Sequence, residues 1–597
     1  MRCFSIFLGT SLLTLAGLAA GAPAPSDLDA RRRVLSDLMG EQWEYTLSTK
    51  PEYASILGDK RWNDRVRDFS QKRIEANIAK TREFLSRFEA IDTTGFPEQE
   101  ALNKTLMVRQ LRQDLEAARF KDWEMPVTQV NGVHIDYPQL VSLLSFVSVK
   151  DYEDFISRMK QLPRLFDETM IQMGRGRAEG LIPPKFLLEK VAAQAEGIAR
   201  MDPEKTPFAE PLGKFPESIS KPDRERLQHE LIAAIQDSVL PAYERFARFV
   251  KEEYAPHGRT EVGVWALPDG VARYEFAVRT QTTSNMTPEE IHQLGLREVA
   301  RIEGEMTKTA RTLGYSDLKS LKASLAKNPS LHAKSREQIL ELYRGCVEQM
   351  QARLPMAFGR LPKAKVEVMA VEPFREKEAP GAEYIEGTPD GSRPGHIMVN
   401  TGSPESRMTI AMESTAYHEG VPGHHMQISI AQELPTLPPF RQHAFYNAFT
   451  EGWALYSEEL GFDVGLFKDP YSAYGHWQAE MGRAIRLVVD TGLHHKHWSR
   501  QQVVDFFHAH VVVNEGFVQS ETDRYIVWPG QALGYKIGQL KILELREHAK
   551  KELGARFDIR KFHDEVLDAG ALPLDVLEAR ISRWIAAQKS LASEGPQ

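Results

Sequence analysis

Cysteine is almost absent from this chain: Cys3 and Cys346 are the only two in 597 residues. Cys3 stands at the head of an apolar stretch, Phe4 to Ala20, that follows the single positive charge of Arg2 and ends in the small residues Ala20-Gly21-Ala22. That order is the order of a cleaved secretory leader, assigned to residues 1–22, with an uncleaved anchor as the alternative. Cutting it removes Cys3 and leaves no pair for an internal disulfide, which export permits but does not require. No cysteine follows the apolar run, which argues against a lipid-attached form. Cys346 reads as a small buried apolar residue rather than a nucleophile.

Long basic runs are missing too. Arg31-Arg32-Arg33 is the longest, and the formal charge of −8 becomes −9 once Arg2 leaves, so nucleic acid is excluded as a partner. Beyond the leader no stretch has the length and polarity of a membrane span, so no stable insertion is expected once the leader is removed. With 42% apolar and 26% charged residues, the chain has the composition of a globular protein. Nothing in it fixes an oligomeric state.

What is present is mostly helical spacing. Leucines and aromatics recur at that spacing through Ile74–Phe88 and Leu102–Phe120. Thr287-Pro288-Glu289-Glu290 carries a capping box and a first-turn proline, and Ile291, Leu294, Val299, Ile302 and Met306 share one face behind it. Residues 274–283 alternate enough for a short strand or extended link. Lys365–Val371, Tyr384-Ile385 and His396–Asn400 around the turn 389–395 predict a small sheet, and Ser403-Pro404-Glu405 is read as opening the next helix. The expectation is a mainly α protein forming a single unit over 23–597, with a helical scaffold half (23–260) and a half carrying the chemistry (261–597).

That chemistry centres on His418-Glu419-Gly420-Val421-Pro422-Gly423-His424-His425. A His-Glu pair with a following histidine suggests HExxH, in which two histidines one turn apart bind zinc and the glutamate activates water. The spacing is too long for it: six residues of unbroken helix separate His418 from His424 by about 9 Å, and seven put His425 about 10.5 Å away. Pro422, flanked by Gly420 and Gly423, supplies an interruption, so the string reads as HExxH with Val421-Pro422 looped out. On this reading His418 and His424 hold one Zn2+, with His425 the competitor for the second place, and Glu419 is the base. The third ligand is sought in Thr450-Glu451-Gly452-Trp453-Ala454-Leu455-Tyr456-Ser457-Glu458-Glu459-Leu460-Gly461: Glu451 is preferred, Glu458 stands in reserve, and Gly461 is placed to end the helix.

HEGVPGHH, TEGWALYSEELG and the later WPGQALGYKIG together resemble the bacterial family named domain of unknown function 885, itself distantly similar to helical zinc peptidases of the thimet oligopeptidase, angiotensin-converting enzyme and carboxypeptidase Taq type. The resemblance implies a large helical fold with a deep channel, a small sheet beside the metal helix whose edge takes an extended peptide, and a zinc-dependent cut in short peptides. It implies a phenol donor after a glycine-rich turn, here Tyr535, to steady an oxyanion. Arg524, Lys536 and Asn400 are the residues assigned to bind substrate, Arg524 because a planar fork matches a carboxylate. The location implied is periplasmic or secreted. Two other functions compete: hydrolysis of a non-peptide amide or cell-wall fragment at the same site, and a non-catalytic binding protein with a degenerate site.

Overall fold

Helix-start chemistry places the most extensively packed helix pair among the described residues. Thr287 Oγ1 accepts from the Glu290 amide (3.3 Å) and Glu290 Oε2 accepts from the Thr287 amide (2.8 Å), so the helix Pro288–Thr312 begins where the capping box directs it. Its Ile291, Val299, Ile302 and Met306 are buried, and the face packs along the helix Pro470–His494. Each such side chain taken out of water contributes roughly 1.5–3 kcal/mol.

The structure, a computed structural model, describes residues 27–593 apart from 326, 372–375, 377–378 and 389–392. The expected leader (1–22) and part of the turn before His396 lie outside the described residues. The fold is mainly α-helical, with one three-stranded sheet among the described residues. No described helix is long and apolar enough to cross a membrane.

In the N-terminal half, Val149–Ala178, Lys185–Ala199 and Leu240–Phe249 close around Phe155, Leu162, Phe166, Val191, Tyr243 and Phe246. In the C-terminal half, Asn447–Asp463 lies against Gly534–Leu553, with Phe449, Trp453, Tyr456, Ile542 and Leu545 in the core. These two helices touch backbone to backbone. A Cβ on Gly538 would overlap the Ala448 carbonyl oxygen, and one on Gly452 would strike the Gly538 backbone, so only glycine allows this approach. Lys190 pairs with Asp523 at 2.5 Å and Arg109 with Asp575 at 2.8 Å, tying the halves together.

The sheet holds β1 (Val366–Ala370), β2 (Ala382–Ile385) and β3 (Gly395–Val399) in the order β1-β3-β2. β1 runs parallel to β3, with Val366 opposite Gly395, and β2 runs antiparallel to it, with Ala382 opposite Val399. β2 is therefore an edge, bonded within the sheet on one side only.

Three sequence expectations are corrected. Residues 274–282 belong to a helix, Gly270–Thr282, because Tyr274, Val278 and Thr282 fall four apart on one buried face and that burial overrides β-branched composition. Ser403-Pro404-Glu405 opens only the short turn Pro404–Ser406; the backbone then makes an isolated antiparallel bridge from Met408 to His332, and the next helix begins at Met412. Gly461 does not end its helix, which runs to Asp463; a Cβ there would meet the Phe467 ring.

Candidate metal centre

Two short helices replace the one that HExxH would need. Met412–Glu419 stops at Gly420, the chain turns through Val421-Pro422-Gly423, and His424–Gln432 begins at once. Gly423 sits so close over the Tyr417 and His418 carbonyls that no side chain fits. The turn brings the His418 and His424 rings to 4.9 Å, edge to face.

Glu451, one turn into its own helix, completes the cluster. Its Oε2 lies 3.5 Å from Nε2 of His418 and 3.5 Å from Nε2 of His424. The three donor atoms all fall within 4.8 Å of one another. Ligands at zinc-bond lengths around a tetrahedron are about 3.3 Å apart, so a modest closure suffices to hold one ion. Two neutral imidazoles and one carboxylate are the donor set that zinc accepts.

Glu458, two turns beyond Glu451, reaches the opposite nitrogen of the same ring: its Oε1 is 2.8 Å from His418 Nδ1. It also takes Arg483 at 3.2 Å and the Ser414 hydroxyl, and is fully buried. Glu458 therefore fixes the ring and directs Nε2 at the cluster. Burial opposes charge on His418, but the hydrogen bonds to Glu451 and Glu458 outweigh it and raise its pKa to about 9. Glu451 is pushed up by burial and pulled down further by His424 and His418, ending well below the usual carboxylate range. This is a field that favours a cation.

A cavity of about 350 Å3 opens over these groups, lined among others by His418, Glu419, His424, Glu451, Tyr535 and Phe445. Burial, partly offset by His418 and His424, raises the Glu419 pKa, which suits a group that must take up a proton and release it again. Tyr535, in the first turn of Gly534–Leu553, stacks 6.5 Å from the His418 ring, and burial and Glu451 raise its pKa, so the phenol stays a donor.

The structure thus brings together His418, Glu419, His424, Glu451 and Tyr535 and separates the rest. His425 turns away: Nδ1 faces the Tyr384 hydroxyl (3.0 Å) and Nε2 the Ala364 carbonyl (3.2 Å). Glu458 lies behind His418 rather than in the cluster. The three side chains expected to bind substrate are not among the residues that line this cavity, and each bonds within the chain. Lys536 is fully buried on Glu480 (2.5 Å), Gln539 (2.8 Å) and Glu298 (3.1 Å). Arg524 makes two 2.9 Å bonds to Glu521 and one of 2.5 Å to Gln531. Asn400 donates to the Glu376 and Ala379 carbonyls at 2.7 and 3.0 Å. Burial pushes the Cys346 thiol up to about 12, which leaves it inert at neutral pH.

Sequence reasoning missed several supporting residues. Arg486 lies 4.4 Å over the Tyr535 ring, held by Tyr525 (3.1 Å) and Glu521 (3.0 Å). Asn447 donates to the Gln531 carbonyl at 2.7 Å, joining the head of the Glu451 helix to the turn that presents Tyr535. No local pattern marks these. Glu458 was in view only as a reserve ligand, because seven residues return it to the face of Glu451; its place behind His418 was not legible.

Fold and site together define a large, mainly α-helical protein with a partly buried His2Glu cluster under a cavity. The chain belongs to the family described as "Bacterial protein of unknown function (DUF885)", whose pattern matches residues 51–581. It is similar to two solved structures, one described as a "putative lipoprotein" and the other as a "putative lipoprotein of unknown function". The one from Colwellia psychrerythraea is 30% identical, with a TM-score of 0.89 over 93% of this chain and 99% of that one. The one from Shewanella oneidensis is 16% identical, with a TM-score of 0.70 over 91% and 99%, and shares the fold alone. No curated protein matches.

Proposed function

We propose that this protein is an exported zinc-dependent hydrolase that cuts peptide bonds in short peptides. The observation that carries the reading is the convergence of His418, His424 and Glu451 within 4.8 Å, beside a half-buried carboxylate on the cavity wall, Glu419. His418 and His424 would hold the ion through Nε2 and Glu451 through Oε2. When bound, zinc supplies a Lewis acid that acidifies water and polarises a carbonyl.

The remaining steps belong to the chain. Glu419 takes a proton from water at its carboxylate and passes it to the departing amine, serving first as base and then as acid. Tyr535 donates its hydroxyl hydrogen to the oxygen on which charge builds in the transition state. Glu458 keeps the His418 ring from rotating. A spectator cluster would need no proton acceptor beside the first histidine, and Glu419 weighs for catalysis on that ground. The expected leader and the Colwellia relative described as a "putative lipoprotein" support a place in the cell envelope.

Mass-spectrometric digestion of a mixed peptide library, with zinc and then with chelator, tests the reading. Chelator-sensitive cuts are expected. A zinc-loaded protein that cuts no peptide would overturn it in favour of another amide substrate.

A further inference from the structure

The second histidine of the pair is left over once His424 serves the cluster, and its surroundings are not those of a spare ligand. His425 is 2% exposed and does not line the cavity. The Ala364 carbonyl 3.2 Å from Nε2 can only accept, so Nε2 carries the hydrogen and Nδ1 is left as an acceptor. The Tyr384 hydroxyl, 3.0 Å away, therefore donates to Nδ1.

Tyr384 belongs to β2, the edge strand, and Ala382, Glu383 and Tyr384 all line the cavity. One face of the helix His424–Gln432 and its C-cap residue repeat this grip. Residues 425, 429, 432 and 433 share a side. Ser429 lies 3.4 Å from His425 Nδ1, Gln432 donates to Glu386 at 2.8 Å, and Glu433 accepts from the Lys363 and Ala364 amides at 2.7 and 3.0 Å. Gly395 of β3 has no room for a Cβ beside Tyr384 and His425, so the contact is built into the sheet as well. His424, one residue earlier, points about 100° round the helix, into the cluster.

We infer that His425 is a positioning residue for the substrate: it holds the cavity-lining edge β2 at a set distance from the His418-His424-Glu451 cluster, so that an extended peptide laid along β2 presents its scissile bond there. This rests on the hydrolase reading above. Strand addition of this kind binds by backbone hydrogen bonds, so the register of β2 against the cluster decides how well a longer peptide is held.

The test uses the zinc-loaded full chain and the variants His425→Ala, His425→Asn, Tyr384→Phe, the His425→Ala/Tyr384→Phe double variant and His424→Ala. His425→Ala is expected to keep its zinc while His424→Ala loses it. For a quenched-fluorescent peptide of about eight residues, His425→Ala raises KM about tenfold with kcat within about twofold. His425→Asn, which keeps an acceptor where Nδ1 stood, recovers most of the loss. Tyr384→Phe matches His425→Ala, and the double variant is no worse than either single one. Zinc loss in His425→Ala, additive single effects, or a change in kcat alone would each overturn the inference. Hydrogen exchange separates it from the hydrolase reading: if the wild type cuts no peptide that reading fails, while faster exchange of β2 amides in His425→Ala still supports the strut and unchanged exchange overturns it.

Discussion

His134 and His418 are both histidines on helices, 1% and 4% exposed, one in each half of the molecule. His134 has a neutral partner, Gln194 Oε1 at 3.2 Å, and burial lowers its pKa to about 4. His418 has a carboxylate at each nitrogen, and its pKa rises to about 9 against the same burial. The difference teaches that depth alone makes an inert imidazole, whereas carboxylates gathered at depth make an anionic pocket with a demand for positive charge. The N-terminal half satisfies this buried ring with a neutral side chain; the C-terminal half crowds Glu419, Glu451 and Glu458 around one ring and lets basic groups answer them.

The comparison is broken most severely at Glu419. Glu419→Gln keeps the fold and the zinc, and turnover of a reporter peptide falls about 10^3-fold; retained turnover would return His418 to the class of His134. Tyr535→Phe comes next, with kcat down about 10^2-fold at unchanged KM in steady-state kinetics. Glu458→Gln removes the charge behind His418 and lowers zinc affinity roughly 10–100-fold in a competitive chelator titration. Gln194→Ala beside His134 sharpens the contrast by changing neither zinc nor turnover.

A further effect, outside the metal cluster, is on stability. Asp490 is fully buried, accepts from Tyr274 (2.7 Å) and the Gly530 amide (3.1 Å), and burial, only partly offset by those bonds, pushes its pKa up to about 7. Between the ordinary carboxylate pKa near 4 and about 7 the folded state binds the proton more tightly than the unfolded one, so stability falls as pH rises through that window, by roughly 4 kcal/mol at most. Asp490→Asn removes this slope. Relative to wild type, its Tm is expected to be higher at about pH 8 than at about pH 5, and parallel Tm profiles for the two proteins would contradict the assignment.

Much of this was legible because the motif carries its own punctuation. Pro422 between two glycines announces a break between His418 and His424, and a capping box marks Pro288 as a helix start. Glu451 and Glu458 share a face by spacing alone. What was not legible depends on partners far off in the chain. Lys536 looks free beside a glycine turn until Glu298 and Glu480 arrive from two other helices; Arg524 is the exception, paired locally with Glu521 three residues before it on the same helix. Asn400 reads as a strand end facing substrate and instead pins the loop before β2. The choice between His424 and His425 also lay beyond the sequence, since adjacent helix residues differ only in which neighbour each one meets.

Metal analysis of the purified full chain and its Glu451→Ala variant reaches the core of the account directly. The wild type should carry a single zinc ion per chain, lost together with hydrolysis in the variant and under chelator. A wild type that binds no zinc when the metal is supplied, or that hydrolyses peptides unchanged in excess chelator, would contradict it.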